Sequence, residues 1–369
     1  MKYVVGLSLL LSAASTSACN VPVFRYALER WKADHSSIFV FHDNHFTAQQ
    51  QLDVARLENA SIDAAHNSNQ KTIRQNVAAA MSDETATLWD ELKSTDPKLP
   101  YVVVRSEVSG QTINNWRKSL DDTTATAILS SPARKELCER ILKGHSAVWL
   151  VLGSTSNRRT KTVTDLLESE LSKLSTKIPL PEGIGLPGSE LFADIPLLMK
   201  FSVLQIDPAD PQEAFLTELF RGFEPDAVNA GDPVVVPVFG RGRALEVIPA
   251  STLDAGLIED LTLFLCGACS CQVKERNPGF DLLTSTNWDA RLFGEDTPSS
   301  PEFELTVAKA QTEPELLDIP PGHKDATSSD EPVETKPERL LRQSSMLSLI
   351  IVLMVICIVA LVAARRIDI

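Results

Sequence analysis

Five short apolar runs, rich in β-branched and aromatic residues, most constrain how this chain can fold. They are typical of buried strands and cover 37–42, 101–105, 147–153, 201–206 and 234–239. Between them lie segments whose apolar residues recur at helical spacing, as Val163, Leu167, Leu171 and Leu174 do. Strands that alternate with helices indicate an α/β fold with parallel strand pairs.

The two ends of the chain predict export and a membrane anchor. Residues 1–18 have a basic start, an apolar stretch and then small residues, which is the layout of a signal peptide ending before Cys19. Residues 346–364 are apolar and uncharged, long enough for one transmembrane helix, with 365–369 as a cytoplasmic tail. We therefore expect a single-pass protein of a bacterial cytoplasmic membrane with its bulk on the periplasmic side. An uncleaved N-terminal anchor and a lipidated Cys19 are the alternatives.

The segment 295–343 predicts an extended linker. Between Glu295 and Glu338 it holds twelve acidic and three basic residues, so −9 of the chain's net −14 lies here. It is also rich in Pro, Ser and Thr, and such a composition buries too little apolar surface to fold. Residues 19–294 hold 36 acidic and 27 basic residues, a net charge of −9, which argues against a nucleic-acid partner.

The order of elements between these ends resembles a known fold. A strand, helix, strand and helix precede a hairpin that turns at Gly240 to Gly242 and a closing helix at 252–265. This order, with Pro233 before the hairpin, resembles the thioredoxin fold, in which the proline before the third strand is typically cis. The first half is similar, with Pro100 at the matching place and a closing helix at 123–142. The resemblance implies two tandem thioredoxin-like domains, 19–143 and 144–294, with Pro100 and Pro233 as candidate cis-prolines.

The resemblance does not extend to the thioredoxin active site. Thioredoxins carry Cys-x-x-Cys where the first strand meets its helix, since the helix N-terminus lowers the thiol pKa. This chain has Ser154 to Arg159 at that place in the second half and His42 to His45 in the first. The resemblance therefore implies the fold without the dithiol activity.

Two further segments, "CNVPVFRYALERW" (19–31) and "CSCQVKERNPGFDLL" (269–283), are similar to segments of an exported bacterial family without an assigned biochemical function. This similarity implies export and a shared architecture, and it implies no reaction.

Four of the six cysteines, Cys19, Cys266, Cys269 and Cys271, raise the question of disulfide or metal chemistry. Outside the cytoplasm, clustered thiols tend to become disulfides. We expect Cys266 to close locally with Cys269, leaving Cys271 for Cys19. A four-thiolate zinc site on the same residues is the second hypothesis.

Sequence motifs of hydrolases, nucleotide-binding loops and dinucleotide-binding proteins are missing from the chain, and we assign no catalytic residue. We expect a non-catalytic binding or assembly protein whose partner is a membrane or exported protein, with no cofactor unless zinc is bound. The alternative is a thiol–disulfide oxidoreductase or metal-handling protein that uses Cys19, Cys269 and Cys271.

Overall fold

Two β-sheets, one in each half of the chain, organise the protein. The computed structural model describes residues 20–63, 67–108, 111–269 and 273–294. The first half contains α1 (Val23–Arg30), β1 (Ser36–His42), α2 (Ala48–Asn59), β2 (Gln70–Asn76), α3 (Asp83–Lys93), β3 (Tyr101–Val108), β4 (Gln111–Ser119), α4 (Asp122–Leu129) and α5 (Pro132–Leu142). The second half contains β5 (Ala147–Leu152), α6 (Arg158–Lys177), β6 (Phe201–Ile206), α7 (Ala214–Phe223), α8 (Pro225–Asn229), β7 (Val234–Phe239), β8 (Arg243–Ala244), β9 (Ile248–Pro249), α9 (Ala255–Cys266), β10 (Phe280–Asp281) and α10 (Trp288–Phe293). Short 3-10 turns cover Pro211–Glu213, Ala250–Thr252 and Lys274–Arg276.

The predicted α/β class is confirmed. The predicted signal peptide, linker, transmembrane helix 346–364 and tail lie outside the described residues, as do Cys19 and Cys271. Among the helices that are described, none combines the length and apolar character needed to cross a membrane.

The two sheets repeat one strand order. In the first sheet the order is β2-β1-β3-β4, with β1 parallel to β2 and antiparallel to β3. In the second it is β6-β5-β7-β8-β10, with β5 parallel to β6 and antiparallel to β7, and β9 also paired with β7. Each half therefore centres on its first strand, flanked by a parallel second strand and an antiparallel third strand.

All five strands predicted from apolar runs are present, whereas the single helix expected at 123–142 is wrong. The chain forms α4 and α5 instead, separated at Ser130 and Ser131. Pro132 occupies the first turn of α5, where its missing N–H group costs no helical hydrogen bond. The Ser131 hydroxyl caps that helix by accepting from the Arg134 N–H at 3.0 Å. A proline and a capping serine start a new helix here because neither fits a helix interior.

Both candidate cis-prolines directly precede an interior strand, but they differ in their peptide bonds. Pro100 precedes β3, and the Leu99–Pro100 bond is cis. Pro233 precedes β7, and its bond is trans, contrary to the sequence expectation. The trans form is the intrinsic preference of an X–Pro bond, and in it the Pro233 carbonyl accepts the Ala250 N–H at 2.8 Å.

The helices α1 and α5 belong to the first half in sequence but pack on the second sheet. Phe24 of α1 lies in one buried cluster with Trp149 of β5, between α6 and α9. Leu137 of α5 lies in the cluster on the opposite face, with Leu150. In return, Phe215 of α7 completes the core of the first sheet, so the halves share apolar contacts.

The turn between β7 and β8 brings the second sheet against α1. Gly240 has φ of +56°, a left-handed conformation that disfavours side chains. A Cβ at Gly240 would lie 2.8 Å from the Cβ of Ala27, which is closer than packed atoms come. The glycine therefore allows both the turn and the close approach of the helix.

Candidate functional site

The start of the described chain lies beside the segment that carries the clustered cysteines. Pro22 and Ala268 form an antiparallel bridge. The Val23 N–H donates to the Gly267 carbonyl at 3.0 Å, and the Cys269 N–H donates to the Val21 carbonyl at 2.9 Å. The N-terminal motif and the cysteine motif are therefore neighbours in space.

The local Cys266–Cys269 closure expected from the sequence is not formed, and Cys266 is a free thiol. Cys266 is the last residue of α9, whereas Cys269 lies beyond Gly267 in extended chain paired with Val21. Burial raises the pKa of the Cys266 thiol to about 12. Since the thiolate is the reactive form, Cys266 is a poor nucleophile in this environment.

The described part of the chain contains only Cys266 and Cys269 of the predicted zinc ligands. No three side chains of His, Cys, Asp or Glu among the described residues are grouped so that they could hold a metal ion. Of the four thiolates in the zinc hypothesis, Cys19 and Cys271 lie outside those residues.

The charged residues of the 19–31 motif form a buried structural network. Glu29 and Arg25 are fully buried, and the Arg25 Nε donates to Glu29 Oε1 at 2.7 Å. Glu29 also accepts the backbone N–H groups of Phe192 and Ala193 at 3.1 and 3.2 Å. Arg25 donates in turn to the Ala193 carbonyl at 2.6 Å. The pair thus fixes the 192–193 loop on α1.

The polar residues of the 269–283 motif are held in the same way. The Lys274 Nζ lies 2.5 Å from Asp281 Oδ2 and 2.7 Å from Asp34 Oδ1, and it donates to the Lys32 carbonyl at 2.6 Å. The Arg243 Nη1 donates to the other Asp281 oxygen at 3.1 Å. These groups join the motif to the chain after α1, so their role is structural.

The junction of β5 and α6 carries hydroxyl, amide and guanidinium groups in place of thiols. Asn157 caps α6 by accepting the Arg159 N–H at 2.8 Å, and its amide donates to the Gly231 carbonyl at 3.0 Å. The Arg159 Nη1 lies 3.1 Å from Asp232 Oδ1. These contacts fix the residues before Pro233 against the start of α6.

A cavity of about 640 Å³, here called the α6 groove, opens beside this junction. Val163, Leu166 and Leu253 form an apolar floor, and Arg158 and the Arg159–Asp232 pair form a polar rim. No carboxylate in the described part of the chain pairs with Arg158. The groove can therefore accept an apolar group with an adjacent negative charge.

The corresponding junction in the first half does not assemble a site. His42 ends β1 and is buried, and its Nδ1 accepts the Asn44 N–H at 3.1 Å. Burial, reinforced by Arg74, lowers the pKa of His42, which favours the neutral form of the ring. His45 is 89% exposed and pairs with Asp43, and the two imidazoles have separate environments.

No protein-family model and no curated protein matches this chain. Sequence reasoning anticipated the basic start of α6 but missed the groove. Its floor combines residues of α6 with Ala250 and Leu253, which are distant in sequence and carry no pattern that links them.

Proposed function

We propose that this protein is a membrane-anchored, extracytoplasmic binding or assembly protein built from two tandem thioredoxin-like domains. The strand orders β2-β1-β3-β4 and β6-β5-β7-β8, each with a proline before its third strand, support the thioredoxin-like assignment. The membrane anchor is residues 346–364, and the acidic segment 295–343 holds the body away from the bilayer. The partner is a membrane or exported protein.

The observation that carries the non-catalytic assignment is the chemistry of the β5–α6 junction. A dithiol enzyme needs a cysteine at the helix N-terminus, where backbone N–H groups stabilise the thiolate. Here Asn157 occupies the cap, and Ser154 and Ser156 hydrogen-bond to each other at 3.0 Å. Cys266 is at the opposite end of another helix and carries a raised pKa.

The α6 groove supplies the binding surface for this function. Its floor accepts an apolar side chain, and Arg158 attracts a carboxylate beside it. The partner therefore presents an extended segment in which an acidic residue neighbours an apolar one. Such a segment gains affinity from burial of the apolar group and specificity from the charge.

Site-specific photo-crosslinking tests this proposal in membranes that contain the full-length chain. A photoreactive residue replaces Ser251, which is exposed and lines the groove. We expect a discrete crosslinked partner that is lost in the Arg158→Glu variant. Lys161→Glu is the matched control, because Lys161 is exposed on the same helix and lies outside the groove. Equal crosslinking in both variants would contradict binding at the groove.

The rival function is thiol–disulfide exchange or metal handling by Cys19, Cys269 and Cys271. One observation supports it, namely the Pro22–Ala268 bridge, which lies close to these cysteines in sequence. A redox titration separates the two functions. A structural disulfide resists reduction, with a potential below about −300 mV, whereas an oxidoreductase pair titrates at a higher potential. Catalytic turnover of a disulfide substrate by the purified protein would favour the rival.

A further inference from the structure

A second cavity, of about 630 Å³, lies at the junction of the two halves and is here called the α5 cavity. Its walls are the turn from Leu129 to Pro132, the first turns of α5, and the segment 285–291. It shares no lining residue with the α6 groove. Small-molecule sites occur preferentially at such junctions between structural units.

Arg134 lies in the wall of the α5 cavity as a buried cation without an ion-pair partner. It is 4% exposed, and its Nη atoms donate to the carbonyls of Leu283, Ala127 and Ile128 at 2.6, 3.1 and 2.7 Å. Its Nε has no hydrogen-bond partner. Carbonyl groups accept from three of the four Nη N–H groups but carry no net charge, so the positive charge is not neutralised by contact.

The acidic group that acts on Arg134 through space, Glu213, is hydrogen-bonded to other groups. Its carboxylate accepts the Ser131 hydroxyl at 2.5 Å and the Ala133 N–H at 2.7 Å. Burial lowers the pKa of Arg134 to about 10, and Glu213 opposes that shift only through space. A buried cation without a contacting counterion is costly, and an anion in the adjoining cavity would offset this cost.

The remaining polar groups of the α5 cavity also favour an anionic ligand. Lys135 is exposed at its edge and forms no ion pair with any described residue, whereas Arg291 pairs with Glu139 at 3.1 Å. Three basic residues and one acidic residue therefore line the cavity. The Ser130 hydroxyl and the Gln212 amide also line it, and both can donate and accept hydrogen bonds.

We propose that the α5 cavity binds a small hydroxylated anion of the sugar-phosphate or sugar-acid class. Its anionic group lies at the side of Arg134 and Lys135, and its hydroxyl groups lie at the side of Ser130 and Gln212. This site is independent of the function proposed for the α6 groove.

Calorimetric titration of the full-length protein in mild detergent tests the site, with glucose 6-phosphate as the probe and glucose as the neutral control. We expect saturable binding of glucose 6-phosphate and at least tenfold weaker binding of glucose. Lys135→Ala should weaken the binding of glucose 6-phosphate about tenfold, which is about 1.4 kcal/mol. Lys161→Ala removes the same charge from an exposed helical position outside the cavity and should leave binding unchanged.

Protection of the backbone provides the location of the bound probe. Saturating glucose 6-phosphate should slow amide hydrogen exchange in the turn 129–132, which lines the α5 cavity, as read by peptide mapping. Hydrogen exchange in α9, which does not line the cavity, is the internal reference. Absence of saturable binding would overturn the proposal, as would equal effects of Lys135→Ala and Lys161→Ala.

Discussion

The buried Arg25–Glu29 pair predicts a large loss of stability when its charge balance is broken. Glu29→Gln keeps the size of the side chain and removes its charge, leaving Arg25 buried without a counterion. Breaking one partner of a buried pair costs about 3–5 kcal/mol. This is a large share of the roughly 5–15 kcal/mol by which a typical domain is stable.

The contacts of Glu29 explain why the cost lies in this range. Its two oxygens accept four donors, namely Arg25 Nε, Arg30 Nη1 and the backbone N–H groups of Phe192 and Ala193. A glutamine at this position has one oxygen, and its NH2 group faces donors that it cannot satisfy. The substitution therefore combines the loss of charge with buried donors that lack partners.

Urea-induced unfolding of the full-length protein in mild detergent, followed by tryptophan fluorescence, measures this effect. Glu136→Gln is the control, because the Glu136–Arg140 pair has the same i,i+4 spacing but is 48% and 23% exposed. We expect the control to cost no more than about 0.5 kcal/mol. Adding Arg25→Met to Glu29→Gln should restore at least about 1 kcal/mol, since it removes the unpaired charge. Equal costs for Glu29→Gln and Glu136→Gln would refute the structural role of the motif.

Three further outcomes are expected. Non-reducing peptide mapping should recover a Cys19–Cys271 disulfide; free Cys19 together with free Cys271, without bound metal, would exclude it. External protease on intact spheroplasts should cut within 295–338 and release the body, whereas full protection of the body would contradict the predicted topology. Burial, with Lys200 nearby, lowers the pKa of His145 to about 4 from its usual 6.5. The unfolded chain therefore binds a proton that the folded one does not, and stability should fall as the pH drops from about 6.5 to 4. His145→Asn should show a smaller loss of stability across this pH interval in the same unfolding assay, and an unchanged slope would count against the assignment.

The sequence predicted the strands that have apolar runs, including β6 at a sheet edge, but not the edge strands that are polar. Four of the five predicted strands are interior and have continuous β-branched or aromatic runs, which is the pattern of strands buried on both faces. The fifth, β6, is an apolar edge strand that is only partly buried. The edge strands β2 and β4 carry polar sequences, "QKTIRQN" and "QTINNWRKS", because one of their sides borders solvent. Their polarity hides them from any search for apolar runs.

The candidate sites were harder to predict because each depends on contacts distant in sequence. The position of Arg158 at a helix start was visible, whereas its proximity to Leu253 follows only from the packing of α6 against the segment before α9. Arg134 lies in a segment with helical spacing, where an arginine is normally exposed. Its burial arises because α5 is covered by Phe215 and by the chain at Leu283.

The bridge between Pro22 and Ala268 gives the clustered cysteines a physical interpretation. Antiparallel strands pair residues at a constant sum of residue numbers, and Val21 is accordingly paired with Cys269. Cys19 and Cys271 have the same sum of residue numbers, so this register, continued by three residues on each side, would pair the two cysteines of the predicted disulfide. That disulfide closes a loop of about 250 residues, for which the chain-entropy model gives roughly 5 kcal/mol. Such a disulfide would reinforce a contact that the backbone already forms, whereas a zinc site would have to draw Cys266 out of the last turn of α9.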